Sequence, residues 1–377
     1  MRIFWAIQQL EKLGGTEIVT IDLINRLVNY YPITLICIAG LNPENNYKID
    51  PRVKITYLNA DSETIRNEEK VYNYNKQRKY LKSLRVYWKV IEEFFFKQNY
   101  YRKKIANIMG EKTDSLYIGS CAEAFLLAPK NYKVYFHYHF DDKTYNLGWM
   151  KFNMKRSRKA DKYIFLSKSI LKEVIKTHPK LKGKSTYVYN PIRFEPVLDT
   201  KKYDNTIIFA GRYAEQKNPL LALKIAKLLK EKGLNFHLKM FGEGLLLDKM
   251  LNYQNENNLN DVVSINKPRK DIENEIKTSD LLLLTSTYEG YVLVKGEANA
   301  FSKPVIMSNW GNTSHEMIDD GVDGFVIDSF NPEDYANKIY EILTNDNYLA
   351  KLKETTYEKT KNLNENYIIQ EWLKIIG

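Results

Sequence analysis

Thr206-Ile207-Ile208-Phe209-Ala210-Gly211-Arg212-Tyr213-Ala214-Glu215-Gln216-Lys217-Asn218-Pro219 decides the fold. An apolar, β-branched run ending in glycine reads as a buried strand followed by a turn. Asn218 and Pro219 then supply an N-cap and a first-turn proline for a helix bearing Leu220, Leu221, Leu223, Ile225, Leu228 and Leu229, closed by Gly233. The cycle repeats downstream, with strands expected at 236–241, 262–265, 280–285, 304–307 and 324–327. Helices are expected at about 245–257, 271–278, 290–301, 314–319 and 332–344. Alternation at this spacing predicts a parallel, doubly wound sheet whose ligands bind outside the carboxyl ends of its strands.

The first half follows the same plan. Residues 3–7, 33–39, 115–119, 133–140, 163–167 and 185–189 read as strands, and a helix begins near Gly15-Thr16-Glu17. Asn190-Pro191 breaks the pattern, because proline disfavours helix before it and cannot continue a ladder. The expectation is an α/β chain of two Rossmann-like doubly wound domains, residues 1–195 and 196–346. An amphipathic helical segment, 347–377, is expected to pack back on the first domain.

The charge is divided unevenly. The 377 residues carry 57 basic and 46 acidic side chains, a net +11. Residues 1–195 hold 35 basic and 19 acidic side chains, so their net is +16; the remainder hold 22 and 27, a net of −5. Coding bias towards lysine would not separate the signs, so the first domain is expected to face an anionic partner such as membrane lipid, a lipid-linked phosphate or nucleic acid. No apolar run approaches the ~18 to 20 residues of a spanning helix. The opening Met1-Arg2-Ile3-Phe4-Trp5-Ala6-Ile7 is too short for a signal-peptide core and fits a first strand. Cys37 and Cys121 show neither a disulfide framework nor metal-ligand spacing, which points to a reducing cytoplasm and no metal.

Three stretches carry chemistry. In the loop 211–218, Gly211, Arg212 and Lys217 converge at a strand's carboxyl end. They would hold a diphosphate there, or form a solvated turn with two surface cations. In Thr287-Tyr288-Glu289-Gly290-Tyr291-Val292-Leu293-Val294-Lys295-Gly296-Glu297, Glu289 is expected at a helix N-terminus and Glu297 two turns on at the same helical phase. Stacked on one face, they would accept hydrogen bonds from sugar hydroxyls; either alone would ordinarily be a cap or a solvent-exposed carboxylate. In Val134-Tyr135-Phe136-His137-Tyr138-His139-Phe140, Tyr135, His137 and His139 share one strand face. A strand histidine is most often structural.

Residues 66–104 hold twelve basic and four acidic side chains among ten aromatics. A helical reading aligns Leu81, Leu84, Trp88, Ile91 and Phe95, flanked by Lys82, Arg85 and Lys89, as in interfacial helices. Internal packing of the aromatics under a solvated lysine face is the alternative. A second basic run covers 151–184.

In combination, Gly211-Arg212 with Lys217, Glu289 and Glu297 enclosing seven residues, Lys303-Pro304-Val305-Ile306, Gly311, Glu316 and Asp320-Gly321-Val322-Asp323-Gly324 resemble the retaining GT-B glycosyltransferases of family 4 (glycosyltransferase group 1). Gly14-Gly15-Thr16-Glu17 resembles that family's glycine loop. The resemblance implies two domains facing a central cleft, a nucleotide-sugar site in the second and an acceptor site in the first. Arg212 and Lys217, with Gly15, Gly290 and the amides of Tyr291, Val292 and Leu293, would hold the donor diphosphate. Glu297 would take the ribose hydroxyls, Glu289 the transferred sugar, and Arg269 would lie near the base. His139, with His137 as the alternative, would reach the donor sugar.

No metal or cofactor is implied, and the absence of Asp-x-Asp agrees. Val292, Lys295 and Gly296 depart from the family pattern. The expected activity is metal-independent, retaining hexosyl transfer from a nucleotide-diphosphate sugar, with UDP as the leading carrier. The acceptor would be a glycan or lipid-linked hydroxyl in bacterial surface-polysaccharide assembly, and the protein cytoplasmic, peripheral on the membrane's inner face. A nucleotide-sugar epimerase or phosphorylase on the same architecture is the alternative. Nucleic-acid binding would leave the second-domain motifs unexplained.

Overall fold

A computed structural model of the chain describes residues 1–10, 14–39, 47–59, 79–86, 88, 98–111, 113–139, 160–269, 271–362 and 365–377. Two compact units form. Unit 1 comprises Met1–Leu166, Leu171–Pro191 and Trp372–Gly377, and unit 2 comprises Ser167–Ile170 and Ile192–Glu371.

Unit 1 is built on strands β1 (Arg2–Ile7), β2 (Ile33–Ala39), β3 (Lys54–Asn59), β4 (Ser115–Gly119), β5 (Lys133–His137), β6 (Lys162–Phe165) and β7 (Ser185–Tyr187). They form one parallel sheet in the order β3-β2-β1-β4-β5-β6-β7. Helices α1 (Gly15–Leu27), α2 (Gln98–Met109), α3 (Ala122–Leu127) and α4 (Lys168–Thr177) follow β1, β3, β4 and β6. Sequence reasoning passed over β3, although Ile55, Tyr57 and Lys54, Thr56 alternate as a half-buried strand requires. β5 ends at His137, so the expected strand 133–140 runs past it through Tyr138 and His139, and Phe140 lies outside the described residues.

Unit 2 contains β8 (Thr206–Ala210), β9 (His237–Phe241), β10 (Val263–Asn266), β11 (Leu281–Leu284), β12 (Val305–Ser308) and β13 (Gly324–Ile327), parallel in the order β10-β9-β8-β11-β12-β13. Its helices are α5 (Pro219–Glu231), α6 (Leu247–Glu256), α7 (Ile272–Lys277), α8 (Leu293–Ala300), α9 (Asn312–Met317), α10 (Pro332–Leu343) and α11 (Asp346–Asn362). Strand residues alternate between two apolar layers. Ile207, Phe209, Leu281, Leu283 and Ile306 face α5 and α10. Ile208, Leu282, Leu284, Val305 and Met307 join the other layer with Ala298 of α8. Burying both faces is what a parallel sheet needs, and each such side chain contributes about 1.5–3 kcal/mol.

The division falls at Pro191/Ile192, and the terminal segment differs from expectation. α11 packs in unit 2, while α12 (Glu365–Ile376) returns the chain to unit 1 only from Trp372 onward. There Trp372 is fully buried against Trp5, ring centroids 5.1 Å apart, and the Ile375 carbonyl accepts from Tyr135 Oη at 3.2 Å. Among the described residues no helix is long and apolar enough to cross a membrane.

Candidate functional site

The loop after β8 is pinned from both sides. Gly211 N–H donates to the Phe241 carbonyl at 3.0 Å, and Tyr213, fully buried, donates from its hydroxyl to the Asn266 carbonyl at 2.8 Å. This packs the ends of β8, β9 and β10 so closely that a Cβ on Gly242 would lie 2.0 Å from the Gly211 carbonyl oxygen. Gly242 is thus a site residue that sequence reasoning missed; Phe241-Gly242-Glu243-Gly244 at a strand's end was the available signal.

Within that frame Lys217 lays its aliphatic stem across Gly211, its Cδ 3.5 Å from where a Cβ would stand. Its Nζ donates to Glu289 Oε1, which also accepts from Ser286 Oγ at 2.6 Å. Lys217 has three donors, so the contact leaves it able to meet an anion. Arg212 donates to Gln216 Oε1 at 2.7 Å, and Gln216 Nε2 donates to the Tyr288 carbonyl at 3.1 Å. One polar network therefore ties the Arg212–Lys217 loop to the segment carrying Glu289.

Glu289 and Glu297 do not stack along a helix. The chain stays irregular from 285 to 292, extended at Val292, and α8 starts only at Leu293, so Glu289 precedes the helix by four residues. Neither glutamate is a solvated carboxylate: Glu289 is 8% and Glu297 5% exposed. Glu297 Oε1 accepts from Arg193 Nη1 at 2.6 Å. Burial pushes its carboxyl above the usual range, and Arg193 opposes that shift. No side chain caps α8, leaving the first-turn amides of Leu293, Val294 and Lys295 open to an anion beside Gly290, Tyr291 and Val292. Burial, then the charges of Glu316 and Asp323, push the half-buried Tyr291 phenol up.

Lys295, one of the residues that break the family pattern, and Lys303, one that follows it, are both engaged in buried ion pairs. Lys295 is buried and donates to Asp323 Oδ2 at 2.7 Å; Lys359 of α11 reaches Asp323 Oδ1 at 2.8 Å. Lys303, fully buried, pairs with Asp199 and lies 4.6 Å over the Tyr203 ring. Arg269, expected near the base, forms a bidentate pair with Asp271 and bonds Glu275 at 2.7 Å; it is not drawn into the Lys217–Glu289 network.

In unit 1, Gly15 at the first position of α1 is exposed, and the Glu17 carboxylate folds back over this helix N-terminus, its Oε2 2.2 Å from where a Gly14 Cβ would stand. His137 is buried between Trp5 and Trp372, and its Nδ1 lies 3.1 Å from His139 Nε2. Phe136 and Tyr138 pack on the opposite face with Phe125, Tyr163 and Phe165, as period-two alternation requires. Burial holds the His137 imidazole well below the ordinary value, with His139 adding to the effect, and brings His139 down to about 3. Both are neutral at physiological pH.

Residues 80–86 are helical, with Leu81, Leu84 and Trp88 84%, 62% and 62% exposed and Lys82 and Arg85 also exposed. Lys89, Ile91 and Phe95 of the same expected face lie outside the described residues.

Residues 192–359 match the family model described as Glycosyl transferases group 1. The chain is 27% identical over 218 residues to an uncharacterized glycosyltransferase of Methanocaldococcus jannaschii, covering 58% of this chain and 57% of that protein. It is 30% identical over 171 residues to the UDP-Gal:alpha-D-GlcNAc-diphosphoundecaprenol alpha-1,3-galactosyltransferase of Escherichia coli, covering 45% and 44%. The matches thus span about half the length of these curated relatives. Among solved structures, a mutant of S. aureus TarM in complex with UDP aligns at a TM-score of 0.77 and 16% identity, covering 99% of each chain. At that identity the likeness shows the fold alone. Residues 192–359 thus resemble a glycosyl transferases group 1 domain, and the fold is an α/β, two-domain GT-B architecture of Rossmann-like units.

Proposed function

We propose that the chain is a retaining glycosyltransferase of the family 4 type. It would move a hexosyl group from a UDP-sugar to a hydroxyl of a glycan or lipid-linked acceptor in bacterial surface-polysaccharide assembly. One observation carries the reading: Lys217 and Glu289 meet at the carboxyl end of a parallel sheet, beside the uncapped N-terminus of α8. Cation, carboxylate and open amides are what a sugar diphosphate needs. The E. coli relative is named for a UDP-galactose donor and a diphosphoundecaprenol acceptor, and the TarM structure contains UDP, which supports that donor class.

In this reading Arg212, Lys217 and the first-turn amides of α8 take the diphosphate, Glu297 the ribose and Glu289 the transferred sugar. The bond from the anomeric carbon to the diphosphate oxygen breaks, its electron pair passing to that oxygen, while the acceptor oxygen bonds to the same face of the carbon. The acceptor's proton goes to the departing diphosphate, so no residue acts as a nucleophile. The developing charge is met by Arg212, Lys217 and the helix terminus without a metal. Acceptor binding is assigned to unit 1, and neutral His139 keeps its expected role towards the donor sugar.

The exposed Leu81, Leu84 and Trp88 beside Lys82 and Arg85 support a peripheral position on an anionic membrane. Flotation with phosphatidylglycerol vesicles tests this: the protein should float with them and stay behind with phosphatidylcholine alone.

Radiolabelled UDP-sugars, offered with and without glycan and polyprenyl-diphosphate acceptors, test the reaction, with product anomers read by NMR. Acceptor-dependent transfer with retention is expected. Turnover of the donor alone would point to an epimerase instead.

A further inference from the structure

The stretch that opens unit 2 is stapled along α8. Ile192 lies against Gly296, Phe194 stacks near Phe301 at 5.1 Å, and Val197 N–H donates to the Ala300 carbonyl at 2.7 Å. Ser302 Oγ donates to the Val197 carbonyl at 2.7 Å. Between these contacts Arg193, its guanidinium 5.3 Å from the Phe194 ring centroid, reaches Glu297 Oε1 at 2.6 Å. Among the described residues Glu297 Oε2 makes no hydrogen bond. One oxygen of the carboxylate is thus held and the other is left for a ligand.

We infer that Arg193 is a positioning residue for the nucleotide: by holding Glu297 Oε1 in a charged pair, it presents Oε2 as the acceptor for a ribose hydroxyl. The inference rests on the proposed donor site and adds to it a residue outside the motifs that suggested that site. The physics is specific. A buried carboxylate without a partner takes up a proton, and a protonated carboxyl has lost much of its strength as an acceptor. Arg193 counters the burial that pushes Glu297 up. The other charge acting on Glu297 is Glu273 of α7, which pushes the same way as burial. Of the cations of the adjoining α11, Lys353 and Lys359 are committed to Asp280 and Asp323, Lys361 pairs with Glu358 and Lys351 is exposed; Lys295 on α8 itself is also committed to Asp323. Arg193 is therefore the cation paired with this carboxylate among the described residues.

The test is calorimetric titration of UDP into the full chain between pH 5.5 and 8, alongside donor KM and kcat. Variants are Glu297→Gln, Arg193→Met, Arg193→Lys and the double Arg193→Met/Glu297→Gln, each checked for cooperative melting. Arg193→Met should weaken UDP by about tenfold, the scale of one lost charge-assisted hydrogen bond. Donor KM should rise with kcat little changed, and the acid limb of binding should move to higher pH. Arg193→Lys should recover most of the affinity, and the double variant should bind no worse than Glu297→Gln. If Glu297→Gln loses UDP while Arg193→Met binds within about twofold of the parent with an unmoved acid limb, the inference is overturned and the donor site stands. Tighter binding by Arg193→Met would overturn it too, marking Arg193 as a competitor for Glu297. If Glu297→Gln binds UDP normally, the ribose role of Glu297 fails and the inference fails with it.

Discussion

Lys295 Nζ lies 2.7 Å from Asp323 Oδ2, and both side chains are buried, 8% and 0% exposed. The pair couples the helix that follows Glu289 to the turn before β13, and Lys359 of α11 closes the triad. Removing Lys295 takes away one of the two cations on Asp323 and leaves Lys359 in place. Lys295→Ala is therefore expected to cost about 1.5–3 kcal/mol by urea denaturation, the scale of one lost hydrogen bond to a charged group. Lys295→Ala at parental stability would mean that the pair does not organise this helix.

Lys295 also shows what the sequence concealed. In a family-like helix it stands out as a charged residue among apolar ones, but its partner lies 28 positions away, and pairing at that separation is a tertiary fact. Arg193–Glu297, 104 positions apart, was hidden for the same reason. The strands and helices of unit 2 were legible because their periodicity is local and both sheet faces are apolar. The helical placement of Glu289 was not, because periodicity cannot see the irregular stretch that delays α8.

Gly296 is the counter-case. A Cβ there would meet Ile192 Cγ1 at 3.6 Å, ordinary contact, so this interior helix position does not require glycine. Gly296→Ala should raise stability by about 0.4–1 kcal/mol through helix propensity and a less flexible unfolded chain. A lower melting temperature would show that α8 and the stretch at Ile192 are packed more tightly than described.

Gly242 is expected to behave oppositely. Gly242→Ala must displace the Gly211 carbonyl, and with it the loop carrying Lys217, at a cost of about 3 kcal/mol. UDP affinity should fall even where the variant remains folded. Normal affinity and stability together would contradict the close packing of the β8 and β9 ends.

The histidine pair sets an acid limit on unit 1. Its imidazoles are held below the ordinary value of 6.5, so below that pH the unfolded chain takes protons that the folded chain refuses. Stability should therefore decline as pH falls from 6.5 towards about 3, each histidine adding a slope of up to about 1.4 kcal/mol per pH unit. Denaturation curves at pH 7.5, 5.5 and 4.5 should be flatter with pH in His137→Asn/His139→Asn than in the parent. An equal slope would place these imidazoles in contact with water.

Lys217 and Glu289 are proposed to form a nucleotide-diphosphate sugar site. Calorimetric titration of UDP into the parent and into Lys217→Ala tests it most directly. The parent should bind, and Lys217→Ala should bind at least about tenfold more weakly, the loss of one charge-assisted contact to phosphate. A parent that ignores UDP and other nucleoside diphosphates, or a Lys217→Ala protein that binds as well as the parent, would contradict that assignment.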